Sequence, residues 1–183
     1  MKGNSMNYRV QTAKYLAFLD IDGVFTSARA QFASANNADL WNVFDPVGVA
    51  FMNRLHDRVD SLKFVLISTW KENLYMTENM NIHWITTAFR NAGFRGDFYE
   101  PWKTNPDNNS KFYKVWQSRS NEIKEYLELY ASEIKDYIIF DDNDYNFNQV
   151  LGKKRHIRTD SDNGIQLRHM KDAMSLIGSW DTK

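Results

Sequence analysis

The chain has 183 residues, of which 43% are hydrophobic, and its 23 basic and 23 acidic side chains cancel. This length and composition suit a single globular domain. The balanced net charge excludes a global electrostatic field that would attract the protein to nucleic acid or to an anionic membrane. The absence of cysteine excludes disulfides, thiolate metal sites and a cysteine nucleophile. No apolar stretch approaches the roughly 20 residues that span a bilayer, and the polar N-terminus lacks a signal-peptide pattern, so we expect a cytoplasmic protein that binds no membrane.

The first predicted element is a strand that follows a loose polar arm. Residues 1–12 form that arm, and residues 13–183 are expected to form one domain. The apolar run Tyr15–Leu19 is short and rich in aromatic residues, as is typical of a buried strand in a parallel sheet. It ends in Asp20 and Asp22, two carboxylates that repel each other and are costly to desolvate. An Asp-Gly turn explains such a tip structurally, whereas a bound cation or a chemical role explains it functionally.

A helix is predicted next, after a stretch that has room only for a flap or a small cap. That stretch runs from Phe25 to Asp45. Asp45 suits the N-cap of the helix and Pro46 its first position. Apolar residues recur every four positions and predict its buried face: Val47, Phe51, Leu55 and Val59.

The second predicted strand, Leu62–Ile67, ends in hydroxyl and basic side chains. Ser68 and Thr69 follow it directly, and Lys71 comes two residues later. The two hydroxyls either hold a ligand at the strand tip or cap the next helix, and the two roles are compatible.

The region 75–118 shows no clear period. Its Pro, Asn and Asp content predicts a long loop at 103–111. We expect one or two short helices here, covering the flank of the sheet or forming a partial lid.

Strands and helices alternate again in the last third of the chain. A helical stripe precedes the apolar run Tyr137–Phe140, which ends in Asp141 and Asp142, and a weaker strand follows at His156–Arg158. The stripe comprises Ile123, Leu127 and Tyr130, and the last helix carries Leu167, Met170, Met174 and Ile177. This alternation predicts an α/β fold with an open parallel sheet and right-handed crossovers.

Several other conspicuous residues have simpler structural explanations. Asp144 suits a loop or a helix cap, and the four histidines lack metal-ligand spacing. The basic run at 153–158 is interpreted as a charged, solvent-exposed edge of the domain rather than as a phosphate-binding patch. Core or lid packing is favoured over a base-stacking platform for three tryptophans: Trp41, Trp70 and Trp102.

The three strand tips together predict one chemical site. In open α/β sheets, ligands bind beyond the carboxyl ends of the strands, where carboxylates, hydroxyls and a lysine would meet. Carboxylates with water and phosphate oxygens are the ligands that Mg²⁺ prefers. A carboxylate also serves as a nucleophile that forms an aspartyl-phosphate, and a hydroxyl with a cation stabilises the phosphoryl oxygens. The pattern therefore favours Mg²⁺-assisted phosphoryl transfer.

These motifs resemble the haloacid dehalogenase (HAD) superfamily of phosphohydrolases. The order is FLDIDGV, then LISTWK, then SRSNEIKEYL, then IIFDD with HIRTDSDNGI, spanning roughly residues 15–168. In detail they resemble the small HAD domains grouped with Swiss Army Knife RNA-repair proteins. The resemblance implies a Rossmann-like HAD fold, with a central, mostly parallel sheet, flanking helices and a minimal or small cap.

The resemblance also implies roles for the acidic residues. Asp20 would be the nucleophile, and Asp22 the general acid that protonates the leaving oxygen and later activates water. The metal would be held by the Asp20 carboxylate, the backbone carbonyl of Asp22, and Asp141, while Asp142 would act through a metal-bound water or orient a ligand. Ser68 matches the family's hydroxyl, with Thr69 next to it as the second candidate.

The family further requires a lysine or arginine between the second and third motifs. Arg119 is the best match, and Lys71, which stands where the subgroup usually has arginine, is expected to share the work. Lys111 and Lys114 are weaker candidates.

The resemblance implies a Mg²⁺-dependent phosphomonoesterase acting on a phosphorylated substrate, either a nucleotide or a nucleic-acid 3′ or 5′ phosphate end. An open site and the RNA-repair association favour the nucleic-acid end, whereas the neutral charge favours a small phosphoester. A catalytically silent binding or regulatory domain, and a phosphotransferase or small-metabolite phosphatase, remain open at this point. The sequence does not indicate an oligomeric state.

Overall fold

The structure is a computed structural model that describes residues 13–34, 44–72, 82–104 and 118–183. The predicted arm at 1–12, most of the predicted loop at 103–111, and the side chains of Trp41, Lys71, Lys111 and Lys114 lie outside the described part.

Five parallel strands form one sheet with the order β3-β2-β1-β4-β5. The strands are β1 (Tyr15–Leu19), β2 (Leu62–Leu66), β3 (Phe98–Lys103), β4 (Asp136–Asp141) and β5 (His156–Arg158). Leu19 at the end of β1 pairs with Leu66 on one side and with Phe140 on the other. The predicted α/β fold is therefore confirmed, and the tips of β1, β2 and β4 lie level at one edge of the sheet.

Helices cover both faces of this sheet because the strand side chains alternate between two apolar clusters. The helices are α1 (Ala28–Ala33), α2 (Pro46–Arg58), α3 (Ile82–Asn91), α4 (Ser118–Tyr130), α5 (Phe147–Val150) and α6 (Leu167–Leu176), with a 3₁₀ turn at Thr69–Glu72. Residues of α2, α3 and α6 join the core cluster on one face, and residues of α4 and α5 join the cluster on the other. In the described part of the chain, no helix has both the length and the apolar character for crossing a membrane.

The predicted helical faces are correct in the helix interiors but wrong at some helix ends, including Tyr130 at the end of α4, which is exposed. In α2, Asp45 accepts a hydrogen bond from Val47 N as the predicted N-cap, yet the Val47 side chain is 40% exposed. Gly48 faces inward instead, since a Cβ at Gly48 would lie 2.4 Å from the carbonyl oxygen of Val24. Leu167 at the start of α6 is likewise 65% exposed, while Ala173 is fully buried.

Strand β3 was not predicted, because its sequence lacks a continuous apolar run. It lies at the edge of the sheet, its side chains are half-buried or exposed, and Pro101 interrupts it. Proline is tolerated in an edge strand, where one side of the backbone has no partner. Irregular pairing with β2 further obscures the alternation.

Candidate active site

Three predicted site residues lie at the carboxyl ends of neighbouring strands: Asp20 just after β1, Ser68 just after β2 and Asp141 as the last residue of β4. Asp20 N donates to Phe140 O at 2.9 Å, and Ile67 N donates to Leu19 O at 2.9 Å, just before Ser68. Asp20, Ser68 and Asp141 are 3%, 0% and 0% exposed, respectively. The edge of the sheet therefore presents two nearly buried carboxylates and a buried hydroxyl from three neighbouring strands.

Arg119 lies against both buried carboxylates from the first turn of α4. Its Nη1 donates to Asp20 Oδ2 at 2.7 Å and to Asp141 Oδ2 at 2.5 Å. The Tyr145 ring lies 4.7 Å from the Arg119 guanidinium carbon, within the range of a cation–π contact. One guanidinium nitrogen is thus shared by two acidic groups, 99 residues after Asp20 in the chain.

A third carboxylate, Asp142, makes the site strongly acidic. One oxygen each from Asp20, Asp141 and Asp142 lies within 4.8 Å of the others. Burial, together with repulsion from Asp20, raises the pKa of Asp141 to about 7 despite the opposing Arg119, and burial also raises the pKa of Asp142. A hard divalent cation would relieve this repulsion, and three convergent carboxylate oxygens suit Mg²⁺ chemically.

The carboxylate of Asp22 lies outside this acidic cluster and is exposed. Its Oδ1 accepts from the Thr26 hydroxyl at 3.0 Å, and its Oδ2 accepts from the Trp70 indole N–H at 3.1 Å. The structure therefore separates the two aspartates of the first motif. Asp20 faces the other buried acids, and Asp22 faces outward between two donors.

The glycine after Asp22 brings the first motif against the last. Gly23 has a φ of +69°, a conformation that favours glycine. A Cβ at Gly23 would also lie 2.7 Å from Asp142 Cβ. The two loops can approach this closely only because residue 23 has no side chain.

The hydroxyl motif after β2 divides into a buried and an exposed residue. Ser68 Oγ accepts from Trp70 N at 3.3 Å, so Ser68 also takes the capping role. Thr69 is exposed. A hydroxyl can accept and donate at the same time. Ser68 accepts from Trp70 N through its oxygen, and its O–H group can therefore still donate to a phosphoryl oxygen.

The other conspicuous residues have local partners. Asp144 Oδ1 accepts from Asn146 N at 2.9 Å, as in a turn. Arg155 in the basic run at 153–158 forms an ion pair with Asp136 at 2.8 Å, at the start of β4 and away from the acidic edge. Trp102 packs partly against the core.

Three residues that contact the site were not assigned to it from sequence: Thr26, Trp70 and Tyr145. Their side chains contact Asp22 or Arg119 in the folded chain. The spacing of the motifs in the sequence does not indicate these contacts. The one sequence signal is the SxW pattern after β2, in which the tryptophan follows the strand-tip serine by two residues.

The chain matches the family described as HAD domain in Swiss Army Knife RNA repair proteins over residues 16–170. This range includes Arg119 and all three strand-tip motifs, and with them the acidic cluster. No curated protein and no solved structure matches the chain. Because the match covers most of the chain and agrees with the parallel sheet and its acidic edge, the protein belongs to this family of HAD domains.

Proposed function

We propose that the protein is a Mg²⁺-dependent phosphomonoesterase that acts through an aspartyl-phosphate at Asp20. Membership of a HAD family suggests phosphohydrolase chemistry in general. The observation that best supports the more specific proposal is the buried ion pair between Asp20 and Arg119, placed beside Asp141 and Asp142. Asp20 lies at the carboxyl end of the sheet, where Arg119 fixes its position. The neighbouring carboxylates could hold a divalent cation that draws a phosphate towards it.

The reaction has two steps that share one intermediate. A carboxylate oxygen of Asp20 forms a bond to phosphorus while the bond to the leaving oxygen breaks, and Asp22 gives that oxygen a proton. Water then attacks the phosphorus of the aspartyl-phosphate, its proton returns to Asp22, and inorganic phosphate leaves with Asp20 restored. Arg119 and Ser68 hold the phosphoryl oxygens, with Thr69 and Lys71 as additional candidates.

The metal proposal involves the same edge of the sheet. Mg²⁺ would be held by the carboxylates of Asp20 and Asp141 and the backbone carbonyl of Asp22, with Asp142 acting through a water. When bound, it would neutralise the charge of the phosphate and of the acidic cluster. The proposal assigns this activity to one domain at residues 13–183.

We take a nucleotide or a nucleic-acid phosphate end as the substrate, and Arg158 supports a substrate with a second anionic group. Arg158 ends β5, is exposed, and donates through Nε to Asp142 O at 3.1 Å. No carboxylate of the described residues pairs with its two remaining nitrogens. A guanidinium anchored this way beside the acidic edge suits a phosphodiester next to the reacting phosphate.

An assay with Mg²⁺ and p-nitrophenyl phosphate tests the proposed activity. We expect turnover by the wild-type protein, loss of activity on chelation, and a fall of at least about 10³-fold in Asp20→Asn. Asp144→Asn is the matched control, because it removes a nearby carboxylate that lies in a turn, and it should keep wild-type turnover. Activity that persists in Asp20→Asn would contradict the nucleophile assignment, and a wild-type protein without turnover would favour the silent binding domain.

A substrate screen decides between small and polymeric substrates. Nucleoside monophosphates are compared with 3′- and 5′-phosphorylated oligonucleotides in the wild-type protein and in Arg158→Gln. If Arg158 contacts a second phosphate, Arg158→Gln lowers kcat/KM about 10-fold on oligonucleotides and leaves mononucleotides nearly unchanged. Lys154→Gln, which removes an exposed cation from the same run, should change neither.

A further inference from the structure

The outward-facing carboxylate of Asp22 is held by two donors from different parts of the chain. Thr26, which is 3% exposed, reaches Oδ1 from the end of the same loop. Trp70 reaches Oδ2 from the 3₁₀ turn after β2, 48 residues further along. The Trp70 ring packs partly against the core, and its backbone N–H donates to the buried Ser68. Both the backbone and the side chain of Trp70 are therefore held in place.

The two donors are chemically different, and this distinguishes the two oxygens of Asp22. An indole N–H can only donate, so its bond to Oδ2 favours placement of a proton on Oδ1 rather than on Oδ2. A hydroxyl can donate or accept, and the Thr26 hydroxyl has a second acceptor, Ile21 O, at 3.4 Å. Thr26 can thus donate to an ionised Oδ1 and turn to Ile21 when Oδ1 carries a proton.

From this geometry we infer that Trp70 and Thr26 are positioning residues for the general acid. Trp70 fixes the rotation of the Asp22 carboxylate, so that Oδ1 is the oxygen that carries the proton to the leaving group. Without the indole N–H, the carboxylate rotates about its last torsion, which has a broad energy profile. The inference rests on the proposed phosphatase function, because it concerns the proton that Asp22 gives to the leaving oxygen.

A series of leaving groups separates positioning of the acid from a structural role. An alkyl phosphate needs a proton on its leaving oxygen, whereas 2,4-dinitrophenolate leaves without one. In Trp70→Phe, which keeps the ring but removes the N–H, we expect kcat/KM to fall about 30-fold on an alkyl phosphate and less than about 3-fold on 2,4-dinitrophenyl phosphate. Equal losses on both substrates, or no loss on either, would overturn the inference.

Trp180→Phe is the matched control, because it removes an indole bond to a carboxylate far from the site. Trp180 Nε1 donates to Asp136 Oδ2 at 3.3 Å, at the other end of β4. Trp180→Phe should leave the dependence on the leaving group unchanged. Thr26→Val should show the same selective loss as Trp70→Phe, and Thr26→Ser should restore the activity. If Trp70→Phe does not fold, the comparison of Thr26→Val with Thr26→Ser tests the positioning inference instead.

A spectroscopic measurement tests the contact without any activity. Each of the six indole N–H groups gives one cross-peak in a ¹H–¹⁵N spectrum, and the Trp70 peak is the one lost in Trp70→Phe. In Asp22→Asn, the Trp70 peak should shift while the Trp180 peak stays in place. If this peak shifts but the wild-type protein shows no turnover, the phosphatase proposal is refuted and the contact stands. If the wild-type protein shows turnover but the peak does not shift, only the positioning inference is refuted.

Discussion

Arg119 is the only cation in direct contact with the two buried carboxylates among the residues that the structure describes. Its side chain is 10% exposed, and those of Asp20 and Asp141 are 5% and 0% exposed. Removing one partner of a buried ion pair leaves an uncompensated charge, which costs more than the pair itself contributes. The site therefore depends on Arg119 for folding as well as for the proposed chemistry.

Replacing Arg119 with methionine should destabilise the metal-free protein strongly. We expect the free energy of unfolding to fall by about 3 kcal/mol in Arg119→Met, because two carboxylates remain buried without a cation. Arg155→Met is the control, because the Arg155–Asp136 pair is more exposed, at 25% and 14%, and should cost about 1 kcal/mol. Urea denaturation in a metal-free buffer measures both, and similar losses in the two variants would contradict this account.

The sequence predicted the acidic residues of the site but not their surroundings. Asp20, Asp141 and Asp142 were found because strand tips in a parallel sheet converge, which is a rule of topology. Arg119 was chosen by resemblance to the family rather than by any pattern in its own helix. The contacts of Trp70 and Tyr145 depend on side-chain packing between distant segments, which a single sequence does not show.

At the scale of the elements, two loops form the site by direct contact. The loop after β1 reaches the loop after β4 at Gly23, where the chain has a positive φ and no room for a Cβ beside Asp142. Gly152 has nearly the same φ, +66°, but nothing lies within 4 Å of its Cβ position. Substitutions at the two glycines therefore distinguish the effect of backbone strain, which both would share, from the effect of a steric clash with Asp142, which only Gly23 would show.

Gly23→Ala should weaken Mg²⁺ binding, and Gly152→Ala should not. Both variants place alanine in the left-handed region, which costs about 1 kcal/mol of stability. Only Gly23→Ala also displaces Asp142, and we expect its Mg²⁺ affinity to fall about 10-fold. Calorimetric titration of each purified variant with Mg²⁺ measures the affinity, and equal affinities in the two would show that the contact with Asp142 does not matter.

The elements themselves were predicted unevenly, for physical reasons. Strands β1, β2 and β4 are mostly buried on both faces, so each contains a short, predominantly apolar run that is easy to recognise. Edge strand β3 is half-exposed and was missed. The helical faces were correct where helices lie on the sheet and wrong at Val47, Leu167 and Tyr130, where a helix end meets solvent.

At the scale of the whole molecule, one buried and two half-buried histidines link stability to pH. Burial lowers the pKa of His56, His156 and His169 below the ordinary value of 6.5. The unfolded chain then binds more protons than the folded one between the lowered pKa and 6.5, so stability falls as the pH drops through this window. Asp141 acts in the opposite direction, because its raised pKa favours the folded state on acidification.

His169→Gln isolates one contribution to this acid sensitivity. His169 is 3% exposed, and its Nδ1 accepts from Gln166 N at 3.1 Å, which requires an unprotonated nitrogen. Glutamine at this position keeps an acceptor for the cap but does not titrate. We expect His169→Gln to lose less stability than the wild-type protein between pH 7.5 and 5.5, measured by urea denaturation. Asp141 is present in both proteins, so its effect cancels, and identical losses would contradict the assignment.

The order of the strands has a consequence for synthesis on the ribosome. β1 is the first strand to be made, yet it lies in the centre of the sheet, with β2 on one side and β4 on the other. Until β4 emerges, one edge of an entirely buried apolar strand has no partner, which invites pairing with other chains. In the same interval Asp20 does not yet have Asp141 or Asp142 beside it. A nascent chain that stops before residue 136 therefore carries the proposed nucleophile Asp20 without the other two carboxylates of the candidate site, and it leaves one edge of an apolar strand open to aggregation.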